Sequence, residues 1–403
     1  MAPTIPLPAT VATGDHAPPL HDIAIVGAGP VGATLALALR DADLDVVVLD
    51  ARPAGETLRG DRSLALSHGA RLILERQGVW ALLAARPGAA TPIAEVDVSQ
   101  AGGFGAATLS ASDAGLPALG YVVSYRALQQ ALDAALARSG VRVRHGVSVT
   151  GVTRAATHAV LACGDAPSCP VHARLAAIAD GAGAGVAGLD RHRHDYRQVA
   201  LVASVWRAVP PRGRAYERFA REGPIALLPE DDHYALVWTV TPDRARSLLA
   251  AGDADFLAAL SAQLGGRVGG FTRVAQRRSF ALALEFAPDP VAGRAVVLGN
   301  AAQTLHPVAA QGFNVGLRDA FELAQVVLDT PREALGEPPM LERYVRDRRA
   351  DRWGGIAFTH GLVTVFDSDH PLARWPRGLA LALLDVLPPA KRAFTRAMLF
   401  GLR

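Results

Sequence analysis

A glycine-rich turn near the start of the chain constrains the fold most strongly. Gly27, Gly29 and Gly32 have the spacing G-x-G-x-x-G and directly follow the apolar run 23–26. The first glycine permits a tight turn, the second lets a ligand approach the backbone, and the third lets a helix pack close to the strand. The segment therefore predicts a strand, a turn and a helix, which form the first half of a Rossmann-type βαβ unit.

A second apolar run completes this unit. Residues 46–49 are apolar and lead into Asp50, which lies 23 residues after Gly27. A helix that begins at the glycine turn offers free N–H groups and its positive dipole end to phosphates. Asp50 is placed to accept hydrogen bonds from a ribose hydroxyl. The pattern predicts a cofactor that contains ADP, and it leaves NAD and FAD as alternatives.

Two later segments contribute further polar candidates. Residues 60–80 predict a loop that leads into an amphipathic helix, and residues 121–136 predict the end of a strand followed by a helix. Arg62, Arg126 and Gln129 stand where these elements begin, so they are able to reach a cofactor that lies across the sheet. Each of the three, taken alone, is also typical of a solvated surface residue.

A second literal G-x-G-x-x-G begins at Gly183, within residues 174–189. The polar residues that follow it do not predict a helix, and no second strand ending in an acidic residue follows at the required distance. We therefore reject it as a second Rossmann unit. The segment instead predicts a strand that ends at Asp180 and Gly181, with its loop near the pyrophosphate of the first cofactor. A glycine-rich connector between domains is the alternative.

The middle of the chain has a different pattern. Residues 195–290 contain short β-type runs separated by turn signals, with one helix expected near residues 252–264. This pattern predicts a mostly antiparallel sheet inserted between cofactor-binding segments, where it can form the wall of a substrate pocket. Trp206 and Trp238 are expected to lie in its core.

The segment 298–325, LGNAAQTLHPVAAQGFNVGLRDAFELAQ, begins as an apolar strand and ends as a helix. The loop between the two contains more special residues than a simple turn needs. They are Gly299, Asn300, His306, Pro307, Gln311, Gly312 and Asn314.

Composition and charge exclude several classes of function. The formal net charge is only +3, and the basic residues are almost all Arg, which is weak evidence for nucleic-acid binding. The two cysteines, Cys163 and Cys169, form neither a zinc-ligand cluster nor a disulfide framework, so we expect no metal and a reducing cytosol. No uncharged apolar run reaches the roughly 18–20 residues that span a bilayer.

Three motifs together resemble those of the single-component flavoprotein aromatic hydroxylases (class A flavoprotein monooxygenases). They are GAGPVG at the first turn, ADGAGA at the Asp-Gly loop, and GNAAQTLHPVAAQGFNVGLRDA in the late segment. The third is the most specific, because it has the form used by the ubiquinone-biosynthesis branch, and it is most similar to the 2-polyprenyl-6-methoxyphenol hydroxylase type. The resemblance runs from about residue 21 to the late 360s. It departs from the usual pattern at Ala184, where relatives usually have Ser, and at Asn300, where many have Asp.

The resemblance implies a function and its cofactors. The cofactor is FAD, and the co-substrates are O₂ and either NADPH or NADH. The implied reaction is hydroxylation of the ring of a polyprenyl phenol through a flavin C4a-hydroperoxide. The protein's part is then to position the ring and exclude water.

The resemblance also implies roles for the late loop. Asn300 lies beneath the ribityl chain, residues 307–312 pass along the isoalloxazine ring, and a helix that begins near Phe313 directs its N-terminus at the ring. Gly312 permits close backbone approach, and Gln311 and Asn314 supply further polar contacts. His306 and Pro307 either contact the flavin or act as a packing and turn element, so we assign no catalytic acid or base.

The expected fold is a mixed α/β architecture. A Rossmann-like FAD-binding domain with a parallel sheet is interleaved with a mostly antiparallel substrate domain and a C-terminal helical region. The expected boundaries are a disordered tail at 1–20, the FAD-binding domain at 21–190 and 291–330, the substrate domain at 191–290, and the helical region at 331–403.

Three other interpretations stay open. The front motif alone also fits an NAD-dependent dehydrogenase, although no dehydrogenase cofactor needs the late loop. The second interpretation is a flavin hydroxylase of another aromatic substrate. The third is a non-catalytic subunit of a biosynthetic complex. Residues 374–403 combine apolar runs with basic residues. They form either a surface for a membrane or a partner, or a cap on the domain's own core. We expect a cytoplasmic protein, and a peripheral position on the inner membrane if these residues bind the membrane.

Overall fold

The computed structural model describes residues 19–56, 60–164, 170–183, 185–220, 222–367 and 371–402. The expected tail at 1–20 falls almost entirely outside these ranges, as do Cys169 and Ala184.

Nineteen strands lie within the described ranges. They are β1 Leu20–Val26, β2 Val46–Asp50, β3 Ser63–Ser67, β4 Ala90–Ile93, β5 Glu95–Gln100, β6 Ala106–Ser110, β7 Gly120–Ser124, β8 Arg142–His145, β9 Val149–Arg154, β10 Ala159–Cys163, β11 Val171–Ile178, β12 His192–Arg207, β13 Arg214–Ala220, β14 Gly223–Glu230, β15 His233–Val240, β16 Phe271–Phe286, β17 Val291–Ala292, β18 Ala295–Val297 and β19 Gln303–Thr304.

Ten α-helices lie within the same ranges. They are α1 Pro30–Ala38, α2 His68–Arg76, α3 Val79–Ala84, α4 Tyr125–Ser139, α5 Pro242–Ala250, α6 Asp253–Leu264, α7 Gln311–Leu328, α8 Pro338–Asp367, α9 Pro371–Val386 and α10 Pro388–Phe400. The helix expected near residues 252–264 is α6. The segment 60–80 differs from expectation, because strand β3 precedes its helix. None of the helices in the part of the chain that the structure describes is both long and apolar enough to cross a bilayer.

The first sheet is the predicted Rossmann-like sheet. Its strands follow the order β17-β18-β11-β1-β2-β8, and β1, β2, β8, β11 and β18 pair in parallel. Side chains of β1 alternate between two apolar layers: Ile23 and Ile25 face a layer that includes α1, α4 and α7, whereas Ala24 and Val26 face the β9–β10 hairpin. Burial on both faces explains why these strands are continuous apolar runs.

The second sheet is the predicted, mostly antiparallel one. Its order is β19-β16-β12-β15-β14-β13-β5-β6, and only the β13–β5 pair is parallel. Strands β5 and β6 come from residues before the expected boundary at 191, and β19 comes from the late segment. The two sheets are therefore interleaved along the chain more closely than the sequence suggested. A small third sheet, in the order β3-β7-β4, lies beside them.

A buried group of charges joins α7 to α8. Asp319 of α7 accepts a hydrogen bond from Nε of Arg348 at 2.9 Å, and Arg348 also pairs with Asp351 at 2.8 Å. Asp351 in turn accepts a hydrogen bond from Nε of Arg318 at 2.7 Å. Burial alone would raise the pKa of Asp351, but Arg348 and Arg318 outweigh it and lower that pKa.

The same group reaches the late loop. The second oxygen of Asp319 accepts a hydrogen bond from Nε2 of Gln303 at 2.6 Å and one from the backbone N–H of Gly299 at 3.4 Å. Arg352 donates to Oε1 of Gln303 and to the carbonyl of Ala287, each at 2.9 Å. The turn at Gly299 is therefore held by charges that lie on two helices.

We expect Arg348→Met to destabilise the protein by about 3–5 kcal/mol, because it leaves Asp319 and Asp351 buried without their shared cation. Arg343→Met is the matched control on the same helix. Arg343 pairs with Asp329 at the exposed surface, so little change is expected there. Urea unfolding of both variants measures the difference in the free energy of unfolding. Equal unfolding midpoints would show that the buried charges do not contribute the expected stability.

Candidate functional site

The glycine turn between β1 and α1 uses its three glycines differently. Gly27 has φ +95°, and a Cβ there would lie 2.8 Å from the carbonyl oxygen of Ala179. A Cβ on Gly32 would lie 2.0 Å from the carbonyl oxygen of Gly27, whereas one on Gly29 would meet no atom within 4 Å. Protein packing therefore excludes side chains at Gly27 and Gly32, and the space beside Gly29 is open to a ligand.

A cleft of about 470 Å³ opens at this turn. Its walls come from the ends of β1, β2 and β11 and from the late loop. Nine of the fourteen cofactor-binding residues expected from the sequence line it: Gly27, Gly29, Asp50, Arg62, Asp180, Gly181, Asn300, Gly312 and Phe313. The fold therefore brings together residues that are up to 286 positions apart, the separation of Gly27 and Phe313.

A neighbouring cleft of about 530 Å³ is lined by Arg126 and Gln129. Nε2 of Gln129 donates to the carbonyl of Ala28 and to Asp133, each at 2.8 Å, which ties α4 to the glycine turn. Its Oε1 is buried and has no hydrogen-bond partner among the described residues. Gln129 thus supports the turn and keeps one acceptor unsatisfied.

The carboxylates at the cleft are fixed by local hydrogen bonds. Asp50 accepts from the backbone N–H of Arg52 at 2.9 Å and from its guanidinium at 3.4 Å. Oδ1 of Asp180 accepts from the N–H groups of Ala182 and Gly183 at 3.0 and 2.7 Å, which closes the turn after β11. Both side chains are therefore held in place at the edge of the cleft.

The two predicted arginines are held at the same end of the fold. The Arg62 guanidinium lies 4.5 Å from the centre of the Tyr125 ring. Arg126 donates to the carbonyl of Gly60 at 3.1 Å, and its backbone N–H donates to Asp61.

The late loop contains an unusual backbone conformation. Ala309 and Ala310 have φ values of +58° and +50°, in the left-handed region that disfavours residues with a Cβ. Helix α7 follows directly and begins at Gln311, two residues before the expected start at Phe313. No side chain caps its N-terminus. The first N–H groups of α7 are therefore left for another partner at the end that carries Gly312 and Phe313.

Asn314 and Gln311 hold this loop from behind the cleft wall. Oδ1 of Asn314 accepts from the N–H of Ser67, and its Nδ2 donates to the carbonyls of Ala65 and Ala310. Nε2 of Gln311 donates to the carbonyl of Ala309 at 3.3 Å. The side chain of Asn314 thus makes three hydrogen bonds within the protein, and its contact with the cofactor stays a prediction.

His306 is a buried, neutral residue. Its Nδ1 accepts a hydrogen bond from the N–H of Val308 at 3.2 Å, and burial lowers its pKa to about 4. Its ring meets Tyr196 edge to face at 5.3 Å. Neither His306 nor Pro307 lines the cleft. Nε2 of His306 is buried and has no hydrogen-bond partner among the described residues, and contact of His306 or Pro307 with the flavin stays a prediction.

Sequence reasoning missed Glu217, at the centre of β13. Burial raises the pKa of this carboxyl to about 8, and the nearby backbone N–H of Ala309 offsets only part of the rise. Oε1 is fully buried and has no hydrogen-bond partner among the described residues. A signal was present in the sequence: Ala215, Glu217 and Phe219 alternate along β13, so an acidic residue interrupts an apolar face.

Comparison with known proteins decides the family. The sequence model of the family described as FAD binding domain matches residues 21–359. The chain belongs to this family.

Two relatives are similar over almost their whole length. The ubiquinone hydroxylase UbiL of Rhodospirillum rubrum is 33% identical, over 93% of this chain and 88% of the relative. The 3-demethoxyubiquinol 3-hydroxylase of Escherichia coli is 31% identical, over 92% and 96%. Together with the family match, they show that this member is an FAD-dependent monooxygenase related to the ubiquinone-biosynthesis hydroxylases, as the motifs implied.

Solved structures confirm the expected fold class. The p-nitrophenol 4-monooxygenase PnpA of Pseudomonas putida superposes with a TM-score of 0.76, over 95% of this chain and 99% of that chain, at 17% identity. At that identity the likeness speaks for the fold alone.

We expect Gly29→Ala and Gly32→Ala to separate cofactor binding from folding. The Gly29 variant leaves the thermal midpoint of the apoprotein unchanged and weakens FAD binding about tenfold or more, because its methyl group occupies only the space kept for the ligand. The Gly32 variant also lowers the stability of the apoprotein, by about 1–3 kcal/mol or more, because its methyl group collides with the backbone of Gly27. FAD titration and thermal unfolding measure the two effects. Wild-type FAD affinity in the Gly29 variant would disprove the assignment.

Proposed function

We propose that the protein hydroxylates the aromatic ring of a polyprenyl phenol in ubiquinone synthesis, with FAD, NADPH or NADH, and O₂. The observation that carries this proposal is the end-to-end similarity to ubiquinone hydroxylases. The late loop supports it, because its ubiquinone-branch motif forms one wall of the cleft.

In this proposal FAD is held by four parts of the cleft. Gly29 and the uncapped N-terminus of α1 would hold the pyrophosphate, and Asp50 would accept a hydrogen bond from the ribose. Asn300 contacts the ribityl chain. The uncapped N–H groups at the start of α7 would face the flavin ring and stabilise negative charge on it.

Bound FAD, once reduced by the nicotinamide, supplies the chemistry that activates O₂. The protein contributes orientation and the exclusion of water. Phe219, Val308 and Val363 pack together where β13, the late loop and α8 meet, with Tyr196 against them. This apolar shell keeps water away from the loop on the side of the second sheet. We assign residues 191–290, together with β5 and β6, to the wall that holds the substrate.

The first test uses the purified holoprotein. A methoxyphenol with a short prenyl chain stimulates NADPH or NADH oxidation, and the product carries one oxygen atom from ¹⁸O₂. The water-soluble 4-hydroxybenzoate serves as the competing substrate. Preference for that acid would refute the proposed substrate and retain a flavin hydroxylase. In cells that lack the gene, an accumulated polyprenyl phenol identifies the ring position, and an unchanged quinone pool speaks against the pathway.

We further propose that α9 lies on a membrane surface, where a polyprenyl substrate resides. Trp375, Leu379, Leu383 and Val386 form one exposed apolar stripe along α9, and Val386 is 68% exposed. Another side of α9 packs on β6 and on the residues just before it, where Gly378 meets the carbonyl of Phe104. Helix α9 therefore also covers part of the second sheet, and its exposed apolar stripe is the side that can contact a membrane.

The charge beside this stripe favours an anionic lipid surface. Arg392 and Arg396 of α10 are exposed, and the two helices are in contact. An exposed apolar stripe next to basic residues is typical of helices that lie in the membrane interface. The proposed location is therefore the cytoplasmic face of the membrane.

We expect the double variant Leu379→Ser/Val386→Ser to bind phosphatidylglycerol vesicles about tenfold more weakly or worse, because it loses apolar area that enters the lipid. The matched control is Leu328→Ser/Val209→Ser, which removes one exposed Leu and one exposed Val elsewhere. Vesicle co-sedimentation compares the two with the wild type. Equal binding by both double variants would exclude α9 as the membrane surface.

A further inference from the structure

A carboxyl with one buried oxygen faces the late loop from the second sheet. Glu217 lies in the middle of β13, directly opposite Ala226 of β14 and Val98 of β5. Phe219, two residues further on the same face, packs on Val308 of the loop. The carboxyl therefore stands among apolar neighbours at the boundary between the substrate sheet and the loop.

No positively charged side chain in the described part of the chain contributes to the pKa of this carboxyl. Its raised pKa follows from burial, and the only opposing contribution comes from the N–H of Ala309, with no charged side chain involved. Among the described residues, Tyr196 of β12 packs against Phe219 and Val308, and its ring contacts His306 of the loop and His360 of α8. Tyr196 and His360 bond to each other at 3.2 Å, and burial keeps His306 neutral.

A buried acceptor without a partner costs free energy unless a ligand satisfies it. Oε1 of Glu217 is such an acceptor, and it lies beside the loop proposed to contact the flavin ring. A ligand that satisfies it needs a hydrogen-bond donor, and the apolar residues around Phe219 and Val308 favour an otherwise apolar molecule. A prenylated phenol has this chemistry.

We propose that Glu217 binds the phenolic hydroxyl of the substrate and takes up its proton during hydroxylation. This inference rests on the proposed function. It names the residue that orients the ring, which the similarity to known relatives does not provide.

The proton transfer balances without a further reactant. The phenol O–H bond breaks and its proton moves to a carboxylate oxygen of Glu217. The bonding pair stays on the phenol oxygen and delocalises into the ring, where it increases electron density at the carbons ortho and para to that oxygen. The proton later leaves Glu217 for solvent. A carboxyl with a pKa of about 8 is suited to this step, because a phenol has a pKa of about 10 and an ordinary carboxyl is far too weak a base.

The test compares two ligands on the oxidised holoprotein without nicotinamide, so that no turnover occurs. One is a short-chain prenylated methoxyphenol, and the other is its methyl ether, which has no O–H to donate. Binding is followed by the change in flavin absorbance from pH 6 to pH 9. In the wild type the preference for the phenol over the ether rises about tenfold with pH, because ionised Glu217 is the stronger acceptor.

Glu217→Gln abolishes this rise, and Glu217→Asp restores part of it. The matched control is Glu95→Gln, on the neighbouring strand β5, where the exposed carboxylate pairs with Arg214. Hydroxylation by Glu217→Gln falls about 10²–10⁴-fold and loses the rise in kcat/KM toward pH 8. A purely structural role at Ala309 would instead change the binding of phenol and ether equally, and that result would overturn the inference.

If Glu217→Gln fails to fold or to retain FAD, measurements on the wild type alone can still overturn the role proposed for Glu217. A wild type that binds both ligands with no pH-dependent preference overturns the role of Glu217 and leaves the proposed function intact. A wild type that neither binds nor hydroxylates the phenol overturns the proposed function, and this inference with it.

Discussion

The buried contact between Asp319 and Arg348 is the interaction on which the site depends. One oxygen of Asp319 meets the guanidinium, and the other receives Gln303 and the backbone of Gly299. The helices α7 and α8 therefore fix the turn that lines the cofactor cleft. A buried ion pair adds little net stability relative to apolar packing, but removing one partner is costly. Its effect here is to specify where the loop lies relative to both sheets.

The late loop stores strain at the point where the cofactor and substrate regions meet. Two consecutive alanines in the left-handed region cost about 1–2 kcal/mol each. Asn314 and Gln311 hold their carbonyls, and Glu217 approaches the amide of Ala309 from the other sheet. The conformation leaves the first turn of α7 uncapped at the cleft. The strained backbone thus serves to present N–H groups to a ligand, and the protein's own side chains hold it in that position.

The structure also explains why some candidate residues support the site without lining it. Gln129 was a candidate because it lies where a predicted helix begins, and Gln311 and Asn314 were candidates because they belong to the late motif. Proximity along the chain does not determine which way a side chain points. In the folded protein, Asn314 bonds to β3 and Gln129 to the glycine turn, so each orients a wall of the cleft. His306 was similarly prominent in the sequence, yet burial keeps it neutral and among aromatic neighbours.

The sequence alone predicted the nucleotide-binding unit and the alternation of the two sheets from local rules: glycine spacing, the apolar periodicity of strands and helices, and the polar residues at their ends. Of the nine predicted residues that line the cleft, Asn300, Gly312 and Phe313 came instead from the resemblance of the late segment to a known family. The sequence could not determine that β5 and β6 join the second sheet, that Asp319 holds Gly299, or that Glu217 faces the loop. Those features arise from contacts between residues distant in the chain, and only tertiary packing decides them. Glu217 is the clearest case, because burial raises its pKa to about 8 and the opposing hydrogen bond comes from Ala309, which is 92 residues away in the chain.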